Sequence, residues 1–144
     1  MIKFAIVGCG RISKRHSELL GENQIKDGSL VAVCDHILDR AEVIAKKYKI
    51  KAYKCMHEMM QNEDVDVVVI LTESGLHAKH TIELAKYNAH IMVEKPMALR
   101  LEDADLMISA CDENNIKLFV VKQNRFNVPV VQLRKALEAG RFGK

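Results

Sequence analysis

Lys3-Phe4-Ala5-Ile6-Val7-Gly8-Cys9-Gly10-Arg11-Ile12-Ser13 is the stretch that decides the fold of this chain. Five residues of strand character run into a glycine, and a pattern of helical character follows over residues 12–20. A glycine directly after a strand permits a tight turn. A second, two residues on, lets the backbone approach a pyrophosphate held at the helix N-terminus, where unpaired N–H groups and the helix dipole favour negative charge. Ser13 stands where this pattern has a third glycine or alanine, a small-for-small exchange at the helix–strand contact. Glycines at this spacing are weak evidence alone; the strand–turn–helix context gives them weight.

Working outward, residues 30–34 (Leu-Val-Ala-Val-Cys) read as a second strand, and Asp35 follows it directly. A carboxylate at that place accepts hydrogen bonds from a ribose diol and repels a 2′-phosphate, which favours NAD over NADP. The competing reading of Asp35 is a helix cap or turn residue. Further strands are expected at 51–53, 65–71, 90–93 and 117–121, with helices near 39–48, 56–61, 76–87 and 101–114. The run Val67-Val68-Val69-Ile70-Leu71 is apolar without alternation. A strand of a parallel sheet, buried on both faces, reads this way. Six strands alternating with helices indicate a doubly wound α/β sheet of Rossmann type, whose ligand crevice lies at the C-terminal strand ends.

Composition agrees with a globular domain and narrows its partners. The 144 residues are 49% apolar and 28% charged, with a formal net charge of +3. That balance argues against a dedicated nucleic-acid binder. No apolar run approaches the ~20 residues that span a bilayer. The chain opens directly into strand sequence with no signal-peptide pattern, so a cytoplasmic location is the expectation. Cys9, Cys34, Cys55 and Cys111 include no Cys-x-x-Cys pair and read as small buried apolar residues.

Two further clusters follow strands. Thr72-Glu73-Ser74-Gly75-Leu76-His77 comes after the long buried strand, and its Thr72 and Ser74 either face a cofactor or cap the next helix. His77 and His80, one helical turn apart, read as surface histidines rather than a metal pair. No metal site is expected. Glu94-Lys95-Pro96 follows the fifth strand. A lysine held there acts as general acid/base toward a hydroxyl undergoing oxidation, or is a solvated turn residue. The Lys95–Pro96 bond is expected to be trans, the usual state of X–Pro bonds. Lys46, Lys47, Lys49, Lys51 and Lys54 read as a solvated basic face.

Taken together, these three ordered motifs resemble the glucose–fructose oxidoreductase/inositol dehydrogenase/MocA (Gfo/Idh/MocA) family across essentially the whole chain. The resemblance implies that Lys95 is the catalytic residue, and it favours the cis alternative at Pro96. It also implies cofactor contacts from Gly8, Gly10, Arg11, Ile12, Asp35, Leu71, Thr72, Ser74, His77, Glu94, Lys95 and Gln123. Val121-Lys122-Gln123-Asn124-Arg125-Phe126 and Gly140-Arg141-Phe142-Gly143-Lys144 further resemble the bacterial UDP-N-acetylglucosaminuronate 3-dehydrogenases of O-antigen and lipopolysaccharide synthesis. That likeness implies oxidation of a sugar C3 hydroxyl by NAD, with 2-oxoglutarate as a second substrate in some members. It places Lys95, Asn124 and Arg125 on the substrate side; the alternative for Arg125 is a surface ion pair. Glu73 stands where the family usually has proline, and brings a charge and a more flexible backbone beside the cofactor loop.

Residues 1–122 are expected to form the NAD-binding domain. Residues 123–144, with a helix over 128–139 and Gly140 after it, lead toward a C-terminal substrate domain that this chain lacks. The family implies a homo-oligomer, dimer or tetramer, for the full-length protein, and little turnover for this chain alone. The rival readings are a stand-alone NAD(H)-sensing module and a family dehydrogenase acting on inositol or a simple sugar. An intact Glu-Lys-Pro speaks against the sensor, which has no use for that lysine.

Overall fold

The computed structural model describes residues 1–143. Six parallel strands form one sheet: β1 (Ile2–Val7), β2 (Gly28–Cys34), β3 (Lys51–Tyr53), β4 (Val67–Ile70), β5 (His90–Val93) and β6 (Leu118–Val120). Their order is β3-β2-β1-β4-β5-β6. Helices α1 (Ser13–Gly21), α2 (Leu38–Tyr48), α3 (Met56–Asn62), α4 (His77–Ala85) and α5 (Leu101–Glu113) make the crossovers, and α6 (Val128–Glu138) follows the last strand.

The strand interior explains the two-sided core. In β1 and β4 the odd and even residues face opposite layers, because side chains alternate across a strand. Ala5, Val7, Val68 and Ile70 pack with Met59, Leu84, Met107 and Cys111 on one side. Ile6 and Val69 pack with Leu20, Ala41 and Ala45 on the other. Both faces are therefore covered, as the unbroken apolar run of β4 requires. Each fully buried Ile or Leu among them contributes about 1.5–3 kcal/mol over its exposed state.

The turns return the chain with few glycines. Asn88 and Asn115 adopt positive φ after α4 and α5, and Lys49 does so at the end of α2. Asparagine tolerates this left-handed conformation because its short amide bonds the local backbone. The fourth strand is shorter than expected: β4 begins at Val67 rather than 65 and ends at Ile70. Leu71 still donates its N–H to the Val7 carbonyl at 2.8 Å, so the ladder continues beyond the formal strand.

The sheet order reverses between β1 and β4, the two strands from which the chain winds outward in opposite directions. At such a switch point the C-terminal ends of the strands open a crevice. The 3-10 turn Gln123–Phe126 and α6 lie beyond the sheet, and α6 has no buried residue. Among the described residues no helix is long and apolar enough to cross a membrane. Lys144, part of the C-terminal motif, lies outside the described residues.

Candidate functional site

A cleft of about 550 Å³ opens at the switch point, lined among others by Gly8, Gly10, Asp35 and Thr72. Clefts of this size suit small molecules and cofactors. Gly8 has φ +98°, and a Cβ there would sit 2.7 Å from the backbone of Leu71 and Thr72. Only glycine lets the loops after β1 and β4 pass this closely. Around Gly10, which lines the cleft, nothing lies within 4 Å of where a Cβ would be, so the backbone is open there. Ser13 is buried and donates its hydroxyl to the Gly10 carbonyl at 2.6 Å, so the small residue at the third position also ties α1 to the loop.

Asp35 is 5% exposed, and its carboxylate is already engaged. Oδ2 accepts the Cys9 N–H at 2.7 Å, and Oδ1 accepts the Ile37 N–H at 2.8 Å. The residue therefore lines the cleft and shapes the turn before α2, the structural role that competed with the cofactor reading. Oδ1 also lies 3.3 Å from Nδ1 of His36, whereas Oδ2 has only the Cys9 N–H and retains a second acceptor direction. Burial, with the Asp35 charge as a smaller contributor, pushes the neighbouring Cys9 thiol up to about 12. Burial likewise pushes Cys34 to about 12. Cys9, Cys34 and Cys111 are buried as expected; Cys55 is exposed and lines the cleft instead.

The loop after β4 turns Thr72 toward the cleft, Ser74 is not among the lining residues, and the arrangement differs from expectation at His77 and Glu73. Neither Thr72 nor Ser74 caps a helix. The Thr72 hydroxyl instead lies 3.0 Å from Nδ1 of His80, which is half-buried and held below its ordinary 6.5 chiefly by desolvation. His77 is not a surface histidine: it is 1% exposed and does not line the cleft. Its Nδ1 lies 2.7 Å from the Pro96 carbonyl and its Nε2 3.0 Å from the Thr72 carbonyl. A carbonyl only accepts, so each contact is a hydrogen bond when the facing nitrogen carries a proton. The ring thus ties the loop after β4 to the loop after β5, a packing role in place of the expected cofactor contact. Glu73 lines the cleft with φ −62° and ψ 144°. Proline fixes φ near −65°, so the backbone keeps the proline-like form and the departure at this position is one of charge.

At the end of β5 the motif residues diverge sharply in environment. Glu94 is buried, whereas Lys95 is exposed. The Lys95 ammonium has no hydrogen-bond or ion-pair partner among the described residues. Its bond to Pro96 is cis, against the trans expectation. The Glu94 carboxylate has two partners: Nε2 of His16 at 3.0 Å from Oε1, and the N–H of Lys95 donating to Oε2 at 3.0 Å. His16 has no place in the sequence motifs. It lies 78 residues from Glu94 in the chain, and no local signal marks the pairing.

Other expected residues fall outside the cleft lining. Arg11 and Ile12 are exposed at the start of α1, whereas Leu71 does line the cleft. Gln123, Asn124 and Arg125 are all exposed in the 3-10 turn after β6, where Arg125 makes no ion pair among the described residues. Conversely, Arg40, His57 and Glu83 line the cleft without any motif to mark them, as does Lys54 of the basic stretch, which the sequence places on a solvated face. The remaining lysines of the basic stretch are exposed, with Lys47 and Lys51 paired to Glu22 and Glu63. Among the described residues no cluster of His, Cys, Asp and Glu is arranged to hold a metal.

The residues present fit a dinucleotide: an open glycine loop at a helix start, a carboxylate beside it, and a switch-point cleft. Comparison with known proteins agrees. The WlbA dehydrogenase from Bordetella pertussis, solved in complex with NADH and UDP-GlcNAcA, superposes with a TM-score of 0.93 at 39% identity, covering 99% of this chain and 43% of that one. The myo-inositol 2-dehydrogenase of Thermotoga maritima is 33% identical over 144 residues, 99% of this chain and 42% of that protein. The inositol 2-dehydrogenase of Rhizobium meliloti is 32% identical over 143 residues, again 42% of its length. The chain thus spans about two fifths of the length of the curated relatives it matches. The family model described as an oxidoreductase family with NAD-binding Rossmann fold matches residues 2–122. With its sheet order, its glycine loop and that match, the chain belongs to the Gfo/Idh/MocA oxidoreductase family, whose NAD-binding Rossmann fold it carries.

Proposed function

We propose that this chain is the cofactor-binding part of an NAD-dependent dehydrogenase that oxidises a sugar-nucleotide hydroxyl, specifically C3 of a UDP-N-acetylhexosaminuronate. The observation that carries the reading is Lys95, whose exposed amine at the C-terminal end of β5 has no partner among the described residues. Residues 1–122 form the NAD-binding domain in this reading, and 123–144 lead toward the substrate domain. Gly8, Gly10 and the start of α1 would hold the pyrophosphate, and Asp35 the adenine ribose. When bound, NAD supplies the hydride acceptor. Lys95 Nζ, as the neutral amine, takes the hydroxyl proton and becomes the ammonium as the carbinol hydrogen leaves as hydride, so carbonyl formation sheds one hydride and one proton. Asn124 and Arg125 orient the substrate from the segment after β6.

The substrate class rests on the likeness to WlbA, solved with UDP-GlcNAcA at 39% identity. The names of the curated relatives favour a second reading, oxidation of an inositol. NAD reduction by the full-length protein, offered UDP-GlcNAcA, myo-inositol and scyllo-inositol in parallel, separates the two. Turnover of an inositol alone refutes the sugar-nucleotide assignment, and turnover of none supports the sensor. 2-Oxoglutarate belongs in the same panel as an oxidant of bound NADH, and gel filtration of the full-length protein reads its expected homo-oligomer. The test of Lys95 is Lys95→Met, which keeps bulk and deletes the ammonium. Turnover should fall by about 10²–10⁴, the usual contribution of a positioned acid/base. NAD affinity should be unchanged. Turnover within a few-fold of wild type would assign Lys95 to a solvated turn.

A further inference from the structure

We propose that His16 is a positioning residue for Lys95, acting through the Glu94 carboxylate. The inference rests on the reading of Lys95 as the proton acceptor. Three observations carry it. Glu94 is 8% exposed and its two oxygens have separate partners, so the carboxylate is a bridge rather than a surface charge. One partner is the backbone N–H of Lys95 itself, which fixes the plane of the peptide from which the lysine side chain departs. The other is Nε2 of His16, on the first turn of the helix that begins directly after the glycine loop.

The bridge therefore links the two structural elements that the reaction must bring into register. One is the loop and helix start that would hold the cofactor; the other is the strand end that presents the lysine amine. The sheet ladder does not join them directly, because β1 and β5 are separated by β4. The imidazole of His77 anchors the far side of the same segment through the Pro96 carbonyl. Lys95 thus leaves a backbone held on both flanks, while its own side chain stays free to reach a substrate. A long flexible lysine gains most from such an anchored base, because a misplacement of about 1 Å can cost about 10²-fold in rate.

Removing His16 would leave Glu94 Oε1 unpaired in a mostly buried site and free the carboxylate to turn away from the Lys95 N–H. The expected result is a loss confined to turnover. In the full-length enzyme, His16→Leu should lower kcat by about 10-fold or more. The Kd for NADH, read by fluorescence titration, should change by no more than about 2-fold, since the pyrophosphate is held by loop N–H groups that His16 does not touch. His16→Gln places an amide N–H near the position of Nε2 and should restore kcat to within about 3-fold of wild type. The decisive arm is a double-mutant cycle. Residues that act through one another are non-additive, so His16→Leu added to Lys95→Met should lower the residual kcat by less than about 2-fold.

An equal fall on both backgrounds overturns the proposal, because it shows an effect that bypasses Lys95. A rise in the NADH Kd that matches the fall in kcat also overturns it, since His16 then shapes the glycine loop. A wild-type kcat in His16→Leu, with Lys95→Met slow, defeats the His16 role and spares the Lys95 reading. A wild-type kcat in Lys95→Met defeats both.

Discussion

Replacing Asp35 with Asn tests whether one carboxylate serves both the fold and the cofactor. The two are nearly isosteric, but asparagine presents one acceptor and one NH₂ donor where aspartate presents two acceptors. In this chain both oxygens receive backbone N–H groups, from Cys9 at 2.7 Å and Ile37 at 2.8 Å. Whichever way the amide turns, one N–H faces another N–H. A hydrogen bond to a charged group contributes about 1.5–3 kcal/mol, and the bond that survives loses its charge assistance. The expected destabilisation is about 2–4 kcal/mol, a sum dominated by the lost bond in this 5%-exposed site. For a domain of this size that lowers Tm by roughly 6–15 °C.

Thermal unfolding of the wild-type and Asp35→Asn chains, followed by circular dichroism, measures this directly. The same pair titrated with NAD and NADP reads the second duty. Wild type should prefer NAD by at least about 10-fold, one 1.4 kcal/mol step. Asp35→Asn should narrow that preference, because it removes the charge that repels a 2′-phosphate. A Tm within about 2 °C of wild type would show that the two backbone contacts contribute little. Equal binding of NAD and NADP by the wild-type chain would refute the reading of Asp35 as a specificity residue.

Three further outcomes are expected. In the folded chain at pH 8, Cys55 should be alkylated first, because Cys9 and Cys34 are buried thiols pushed to about 12; mass spectrometry reads the order, and bound NAD should slow Cys55. Stability should fall as pH drops below about 6.5: the unfolded chain takes up a proton at His80 there, while the folded imidazole, held lower by burial, does not. His80→Gln should remove that part of the slope in urea titrations at pH 5 to 7, and an unchanged slope would count against it. Glu73→Pro should raise stability by about 0.4–1 kcal/mol, because φ is already −62° and proline restricts only the unfolded chain. A lower Tm in that variant would show that the Glu73 backbone or charge is needed where it stands.

Much of this protein is legible along the chain. The strand–Gly8–Cys9–Gly10–helix succession is a local pattern, although the crowding by Leu71 and Thr72 that leaves no room for a Cβ on Gly8 comes from the assembled sheet. The unbroken apolar run of β4 follows from burial on both sheet faces, and Asp35 from its place after β2. Periodicity and short-range sterics act over a few residues, so these features are written in neighbouring positions. That covers the strand count, the Rossmann class and the location of the crevice.

What remained hidden depends on residues that meet only after the sheet assembles. His77 looks like a surface histidine along its helix, yet the loops after β4 and β5 close over it and present two carbonyls. Cys55 precedes α3 and is exposed in the cleft lining, where burial cannot be inferred from its type. Glu94 is a motif residue, but its partner comes from a helix 78 positions earlier. The sheet order brings α1 alongside the end of β5, and no periodicity in either segment records that meeting. Sequence determined which backbone elements form and where their polar ends collect. Only the tertiary structure decided which side chains pair across those ends, because pairing is set by three-dimensional distance rather than by spacing along the chain.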